Sequence, residues 1–272
     1  MDFTGERFLP AVKGIVELEH LHRYFLAANF VKNLEVLDVA CGEGYGCDIL
    51  SNSAKHVYGV DMSEESIRHA SDRYRAGNVE FRCGDCCEIP LADSSVDVVT
   101  SFETIEHHMY HDEMLDEILR VLRPNGLLIM STPDKDTFIK LGAEPNPFHV
   151  KELRVGEFKD FLKTRFSEVE LLFQKVMYGS FIFGDSASGM LHYKSLEGGL
   201  LAEGDISAPY VFAFATNQKM PVLNASVYEV DFCENEIVRA LQRDKAKLKR
   251  KLKRRLFSRL IKSLKKRFEV GD

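Results

Sequence analysis

Two sets of residues have the types and spacing to do chemistry. The first is Ala40-Cys41-Gly42-Glu43-Gly44-Tyr45-Gly46, at the end of the apolar run Glu35 to Ala40. Glycines between a strand and a helix let the backbone bend sharply and let a ligand approach it closely. A dinucleotide fingerprint needs a last glycine at position 47, where this chain has Cys47. That spacing counts against a nicotinamide cofactor. Asp61 closes the next apolar run, HVYGVD. A carboxylate there can accept from ribose hydroxyls, each such bond being worth roughly 1.5–3 kcal/mol. The bland alternative is that Asp61 caps the helix that begins near Ser63.

The second set is Glu103, Glu106, His107, His108 and His111, after the run VDVVTSF. Open parallel sheets bind ligands at this edge. An unperturbed imidazole titrates near pH 6.5 and serves well as a general base. His107 is the first candidate base and His149 the second, with Glu106 placed to orient either. The competing view makes each histidine a hydrogen-bonded structural residue. Helical spacing would bring His107 or His108 onto one face with His111. Cys83, Cys86 and Cys87 have a zinc-like spacing, but no second pair follows at ribbon distance. No metal is expected from these patterns.

Around these residues the chain alternates strand-like and helix-like segments. Runs at 35–40, 56–61, 79–83, 96–102, 126–132, 168–176 and 210–217 read as strands. Segments following Gly46 and Ser63, and those at 112–122 and 157–166, read as helices. Pro124-Asn125-Gly126 closes the third of them. The pattern predicts an α/β fold with a mostly parallel sheet covered on both faces. Residues 1–30 and a mixed, Gly- and aromatic-rich stretch at about 177–207 fall outside the alternation. With 45% hydrophobic and 29% charged residues among 272, the chain reads as globular rather than disordered or polytopic. The start, MDFTGERFLP, does not read as a secretory signal. A cytoplasmic address is therefore expected, with the six cysteines as thiols.

Charge divides the chain. Residues 237–272 hold 15 Lys and Arg and three acids, which leaves the preceding body at −18 within an overall −6. Leu256, Phe257, Leu260, Ile261, Leu264 and Phe268 share a helical arc of about 140°, opposite Arg259, Lys262, Lys265 and Lys266. A cationic amphipathic helix over 236–272 suits an anionic membrane surface, here through residues 245–268 at the inner face of the cell membrane. Docking on the acidic body or on a second copy ranks next. Nucleic acid ranks last, because the body would repel it and the tail lacks interleaved aromatics.

Taken together, VLDVACGEGYG, YGVDMS, the segment from Cys83 to Ser101 and EILRVLRPNGLLIMSTP resemble the class I S-adenosylmethionine-dependent methyltransferases. The resemblance covers roughly residues 34–176. It implies a Rossmann-like fold with a seven-stranded, mostly parallel sheet, and S-adenosyl-L-methionine as cofactor. It gives Asp38 the ordering of the loop, Gly42 and Gly44 the methionine part, and Asp61, with Met62 beside it, the ribose. Asp85 and the Cys86 backbone take the adenine, while Phe102 and Glu103 face the sulfonium side. Ala40 stands where the family usually has glycine, which predicts tighter packing there.

The helix expected over Val16–Phe30 would be a lid within an N-terminal segment 1–30, with Arg23 pairing the methionine carboxylate, the alternative being that its polar residues form a solvated face. The methyltransferase domain would occupy 31–235, with the insertion at 177–207 shaping the acceptor pocket. This head, with Asn146-Pro147-Phe148-His149-Val150-Lys151-Glu152, resembles methyltransferases of bacterial surface-polysaccharide clusters, including those acting on O-antigen chain ends. The implied reaction is O-methylation of a sugar hydroxyl or terminal phosphate on a polysaccharide or its lipid-linked precursor. Alternatives are a quinone- or lipid-type small-molecule methyltransferase and a non-catalytic membrane-associated adaptor. The intact set Asp38, Gly42, Gly44, Asp61 and Asp85 argues against the adaptor. Self-association stays open.

Overall fold

A computed structural model describes residues 15–140, 146–177, 193–195, 201–203, 208–229 and Lys247. The chain forms two compact units, and residues 15–226 belong to the first. Residues 1–14, nearly all of the expected insertion at 177–207 and all of the expected tail helix except Lys247 lie outside the described residues.

The chain opens with α1 (Ile15–Ala27), which runs into a 3-10 turn at Ala28–Phe30. Then come β1 (Glu35–Val39), α2 (Tyr45–Ser51), β2 (His56–Asp61), α3 (Glu64–Arg73), β3 (Val79–Cys83) and β4 (Val96–Phe102). A 3-10 turn at Ile105–His107 leads to α4 (His111–Val121), β5 (Leu122–Pro133) and α5 (Lys135–Lys140). After these follow α6 (Val155–Lys163), β6 (Glu168–Gln174), a separate antiparallel pair β7 (Tyr193–Ser195) and β8 (Leu201–Glu203), and β9 (Tyr210–Thr216).

Seven strands make one sheet in the order β3-β2-β1-β4-β5-β9-β6. Neighbours from β3 through β5 are parallel, and β9 runs antiparallel to both β5 and β6. The apolar runs that marked these strands are buried: Val36, Leu37, Val98, Val99, Leu128 and Ile129 are almost wholly shielded from solvent. Each face carries its own core. Met114, Leu115 and Ile118 of α4 and Phe158 and Leu162 of α6 pack on one side. Tyr24 and Ala27 of α1 and Cys47 and Leu50 of α2 pack on the other. Parallel sheets buried on both faces need near-continuous apolar strands, which explains why these were visible as runs.

Two local expectations change. Pro124-Asn125-Gly126 does not separate α4 from its strand. β5 starts at Leu122, whose φ of −68° and ψ of 137° are extended, and Leu122 pairs with Val96. Proline disfavours the helical region for the residue before it, so the helix stops and the strand begins early. The βα alternation also lapses between β3 and β4, where the described residues 84–95 form turns.

Candidate cofactor and acceptor site

The site begins where β1 ends. Ala40 (φ 59°), Gly42 (φ 58°) and Gly44 (φ 88°) all lie in the left-handed region, and α2 starts at the next residue. Gly44 is fixed by packing as well, since a Cβ there would sit 2.7 Å from the Phe81 ring. A Cβ on Gly42 would meet nothing within 4 Å, so that side of the loop faces open space. Ala40 corrects the expectation of tighter packing. Its methyl matters through the backbone, because a left-handed alanine costs roughly 1–2 kcal/mol.

Asp38, on β1 beneath this loop, is wholly buried. Its Oδ1 accepts from Thr100 Oγ1 at 2.7 Å, and its Oδ2 accepts from Tyr24 Oη at 3.0 Å and Cys47 Sγ at 3.5 Å. Burial pushes its carboxyl from 3.8 up to about 6, against the opposing pull of those three donors. Asp61, at the end of β2, ties two turns together. Its Oδ2 accepts from the Gly42 amide and its Oδ1 from the Ser63 amide, both at 2.9 Å. The helix cap is Ser63 itself, whose Oγ accepts from the Ser66 amide at 3.2 Å.

Next to Asp61, Met62 is 75% exposed. Asp85 Oδ1 accepts from the Cys87 amide at 2.8 Å, shaping the turn after β3. Burial pushes the Cys86 thiol well up, and its Sγ lies 3.7 Å from His108 Nε2. Phe102 departs from the expectation that it faces the sulfonium side. Its ring packs edge-on against Tyr24 with centroids 5.0 Å apart and belongs to the core.

Arg23 is also not an open lid residue, being only 1% exposed. Its Nε donates to Gln174 Oε1 at 2.9 Å, its guanidinium lies 4.5 Å from the centre of the Tyr210 ring, and one terminal nitrogen is 3.3 Å from Glu103 Oε1. Its two terminal nitrogens make no hydrogen bond among the described residues. Glu103 follows β4 with a left-handed φ of 52° and accepts from Ser131 Oγ at 2.6 Å. Strain of this kind in a non-glycine residue persists only where its surroundings hold it.

Glu106 is buried, and its Oε2 accepts from Thr132 Oγ1 at 3.2 Å. Burial and the nearby Glu103 push its carboxyl well up. Its backbone carbonyl accepts from the amides of Val150 and Lys151 at 2.8 and 3.1 Å. Those bonds bring the distant 146–152 turn to the end of β4. His107 and His149 then meet edge to face, with ring centres 5.2 Å apart. His149 Nδ1 lies 2.7 Å from Glu152 Oε1. The structure therefore brings Glu106, His107 and His149 together, whereas His108 turns away toward Cys86 and Met114. Sequence reasoning missed Tyr24, Gln174 and Tyr210 as partners. Only Gln174, a polar residue ending an apolar strand, left a signal.

Residues 37–130 match the family model described as a methyltransferase domain. That span is similar to methyltransferase domains, and the sheet built around it has the Rossmann-like methyltransferase fold. A Mycolicibacterium smegmatis protein named "Probable S-adenosylmethionine-dependent methyltransferase" is 39% identical over 176 residues, covering 62% of this chain and 66% of that protein. The chain thus spans just under two thirds of that relative's length. A ubiquinone biosynthesis O-methyltransferase of Bradyrhizobium diazoefficiens is 33% identical over 112 residues, covering 40% and 43%. The solved S-adenosylmethionine-dependent methyltransferase of Thermotoga maritima shares the fold, with a TM-score of 0.53 at 19% identity over 74% of this chain and 90% of that one. The methyltransferase fold expected from the motifs, with its seven-stranded sheet, is the fold observed. Among the described residues, no helix is long and apolar enough to cross a membrane.

Proposed function

We propose that the protein is an O-methyltransferase acting on a hydroxyl or terminal phosphate of a surface polysaccharide or its lipid-linked precursor. The observation that carries an oxygen acceptor is the meeting of Glu106, His107 and His149 at the carboxyl end of β4, beside Glu103. A sugar hydroxyl is a poor nucleophile near neutral pH, so its proton must be handled.

The chain's own residues fit S-adenosylmethionine. Asp38 fixes the loop, and the open side of Gly42 with Gly44 receives the methionine part. Asp61, flanked by Met62, holds the ribose. Asp85 and the Cys86 amide take the adenine. Arg23 offers two buried terminal nitrogens without hydrogen bonds, a fit for the methionine carboxylate, because buried donors are rarely left unpaired. Ala40 and Phe102 support this surface through the backbone and through Tyr24. When bound, the cofactor supplies a methyl group on a positively charged sulfur. Glu103 brings negative charge to that side, and Glu106, His107 and His149 position the acceptor oxygen and accept its proton. Excluding water and holding the acceptor in line supply much of the remaining acceleration.

A quinone- or lipid-type acceptor is the second reading, favoured by the name of the Bradyrhizobium relative. In either case the basic run 245–268 would hold the protein at an anionic membrane surface, where lipid-linked acceptors reside.

Calorimetry with S-adenosylhomocysteine tests the cofactor assignment. Intact protein should bind it, and Asp61→Ala should lose at least tenfold in affinity. Equal affinity in the variant removes Asp61 from the site. Labelled-methyl transfer to lipid-linked glycans, compared with quinols and fatty acids, decides the acceptor.

A further inference from the structure

We propose that Glu106, His107 and His149 form a binding site for one divalent cation of the first transition row, which holds the acceptor oxygen. The function given to that oxygen rests on the O-methyltransferase reading; the cation site itself does not.

One carboxylate oxygen and one nitrogen from each imidazole lie within 4.8 Å of one another. Atoms bound to one ion at about 2.0–2.2 Å are separated by roughly 3–4 Å, so a small inward adjustment completes the set. The hydrogen bonds fix the tautomers. His107 Nδ1 lies 3.1 Å from the Phe148 carbonyl, which can only accept, so Nδ1 carries the proton and Nε2 the lone pair. His149 Nδ1 likewise donates to Glu152 Oε1 at 2.7 Å. A carboxylate behind the far nitrogen of an imidazole is the arrangement that orients metal-binding histidines.

The Asn146 amide provides an independent check. Its Oδ1 accepts from the Phe148 amide, which turns its NH2 toward His149 Nε2 at 2.9 Å. That nitrogen is therefore an acceptor, and a cation would take the place of the amide hydrogen. The third residue is Glu106, whose Oε1 is buried and has no hydrogen-bond partner among the described residues. A buried carboxylate oxygen without a partner is costly, and a cation removes that cost. Two imidazoles and one carboxylate suit manganese, iron, cobalt or zinc better than calcium or magnesium, which prefer all-oxygen shells. Three protein donors leave positions open, where a coordinated hydroxyl becomes more acidic.

A second donor cluster, Cys86, Cys87 and His108, is less suited. There the Tyr110 amide donates to His108 Nδ1 at 3.2 Å, which puts the ring proton on Nε2, the atom facing the Cys86 thiol.

The test uses the full chain, stripped with a chelator and titrated with Co2+ alone. Visible absorption reports the ion, and S-adenosylhomocysteine affinity is measured in parallel. We expect one Co2+ per chain with weak visible bands and no sulfur charge-transfer band. His149→Ala and Glu152→Gln should each weaken binding at least tenfold, while Cys87→Ser leaves it unchanged. Protein that binds S-adenosylhomocysteine but no Co2+ overturns the proposal. So does a sulfur charge-transfer band lost in Cys87→Ser, or wild-type Co2+ affinity in both His149→Ala and Glu152→Gln. Protein that binds Co2+ as expected but not S-adenosylhomocysteine upholds the cation site and overturns the cofactor assignment instead.

Discussion

The phenol of Tyr24 donates to Asp38 Oδ2 at 3.0 Å, joining α1 to the strand beneath the glycine loop. Tyr24 also packs so closely on Gly46 that a Cβ there would collide with its ring. The first helix is thus part of the floor of the glycine loop. Tyr24→Phe keeps the packing and removes one donor from a buried carboxylate. Stability should fall by about 1–3 kcal/mol, read as a lower urea midpoint at unchanged slope. Affinity for S-adenosylhomocysteine should fall with it if Asp38 orders the loop.

Asp38 also gives stability a pH dependence. Its folded-state pKa, about 6, lies above its ordinary value of 3.8, so the folded protein holds this proton more tightly than the unfolded chain does. Its contribution is fully present below about pH 4 and is lost as pH rises through 6. An asparagine amide in its place cannot titrate. The stability advantage of wild type over Asp38→Asn should therefore shrink by roughly 2 kcal/mol between pH 4.5 and 7. Urea unfolding of both proteins at the two pH values measures it, and a constant difference would mean that Asp38 is not held in its protonated form.

Ala40 shows where local sequence stops being informative. Its neighbours announced the loop, because glycines two apart between an apolar run and a helix are a backbone requirement written in residue types. The left-handed φ of Ala40 is not written that way, since alanine is the residue most at home in helices. The central strands were legible for the same reason as the loop: burial on both faces demands unbroken apolar runs. The inward aim of Arg23 and Tyr24, and the docking of the 146–152 turn on Glu106, depend on contacts between segments far apart in the chain. No periodicity records those. Ala40→Gly should raise stability by roughly 0.5–1 kcal/mol, as relief of the strained φ outweighs the added freedom of the unfolded chain. Thermal melting checks it, and an unchanged or lower midpoint would show that the alanine methyl contributes packing.

His107 gives the sharpest test of the acceptor side. It is tied to the Phe148 carbonyl and stacked edge-on to His149, and neither contact reaches the glycine loop or Asp61. Removing its imidazole should therefore leave S-adenosylhomocysteine affinity within about twofold. The same change takes away a group that either accepts the acceptor's proton or holds the ion that acidifies it. Loss of such a group costs roughly 10²–10⁴ in rate. His107→Ala should thus separate binding from turnover, with calorimetry near wild type and methyl transfer reduced at least a hundredfold. Because His107 is partly exposed, misfolding is not the expected cause of the loss. A fully active variant would take His107 out of the reaction and leave Glu106 and His149 to act without it.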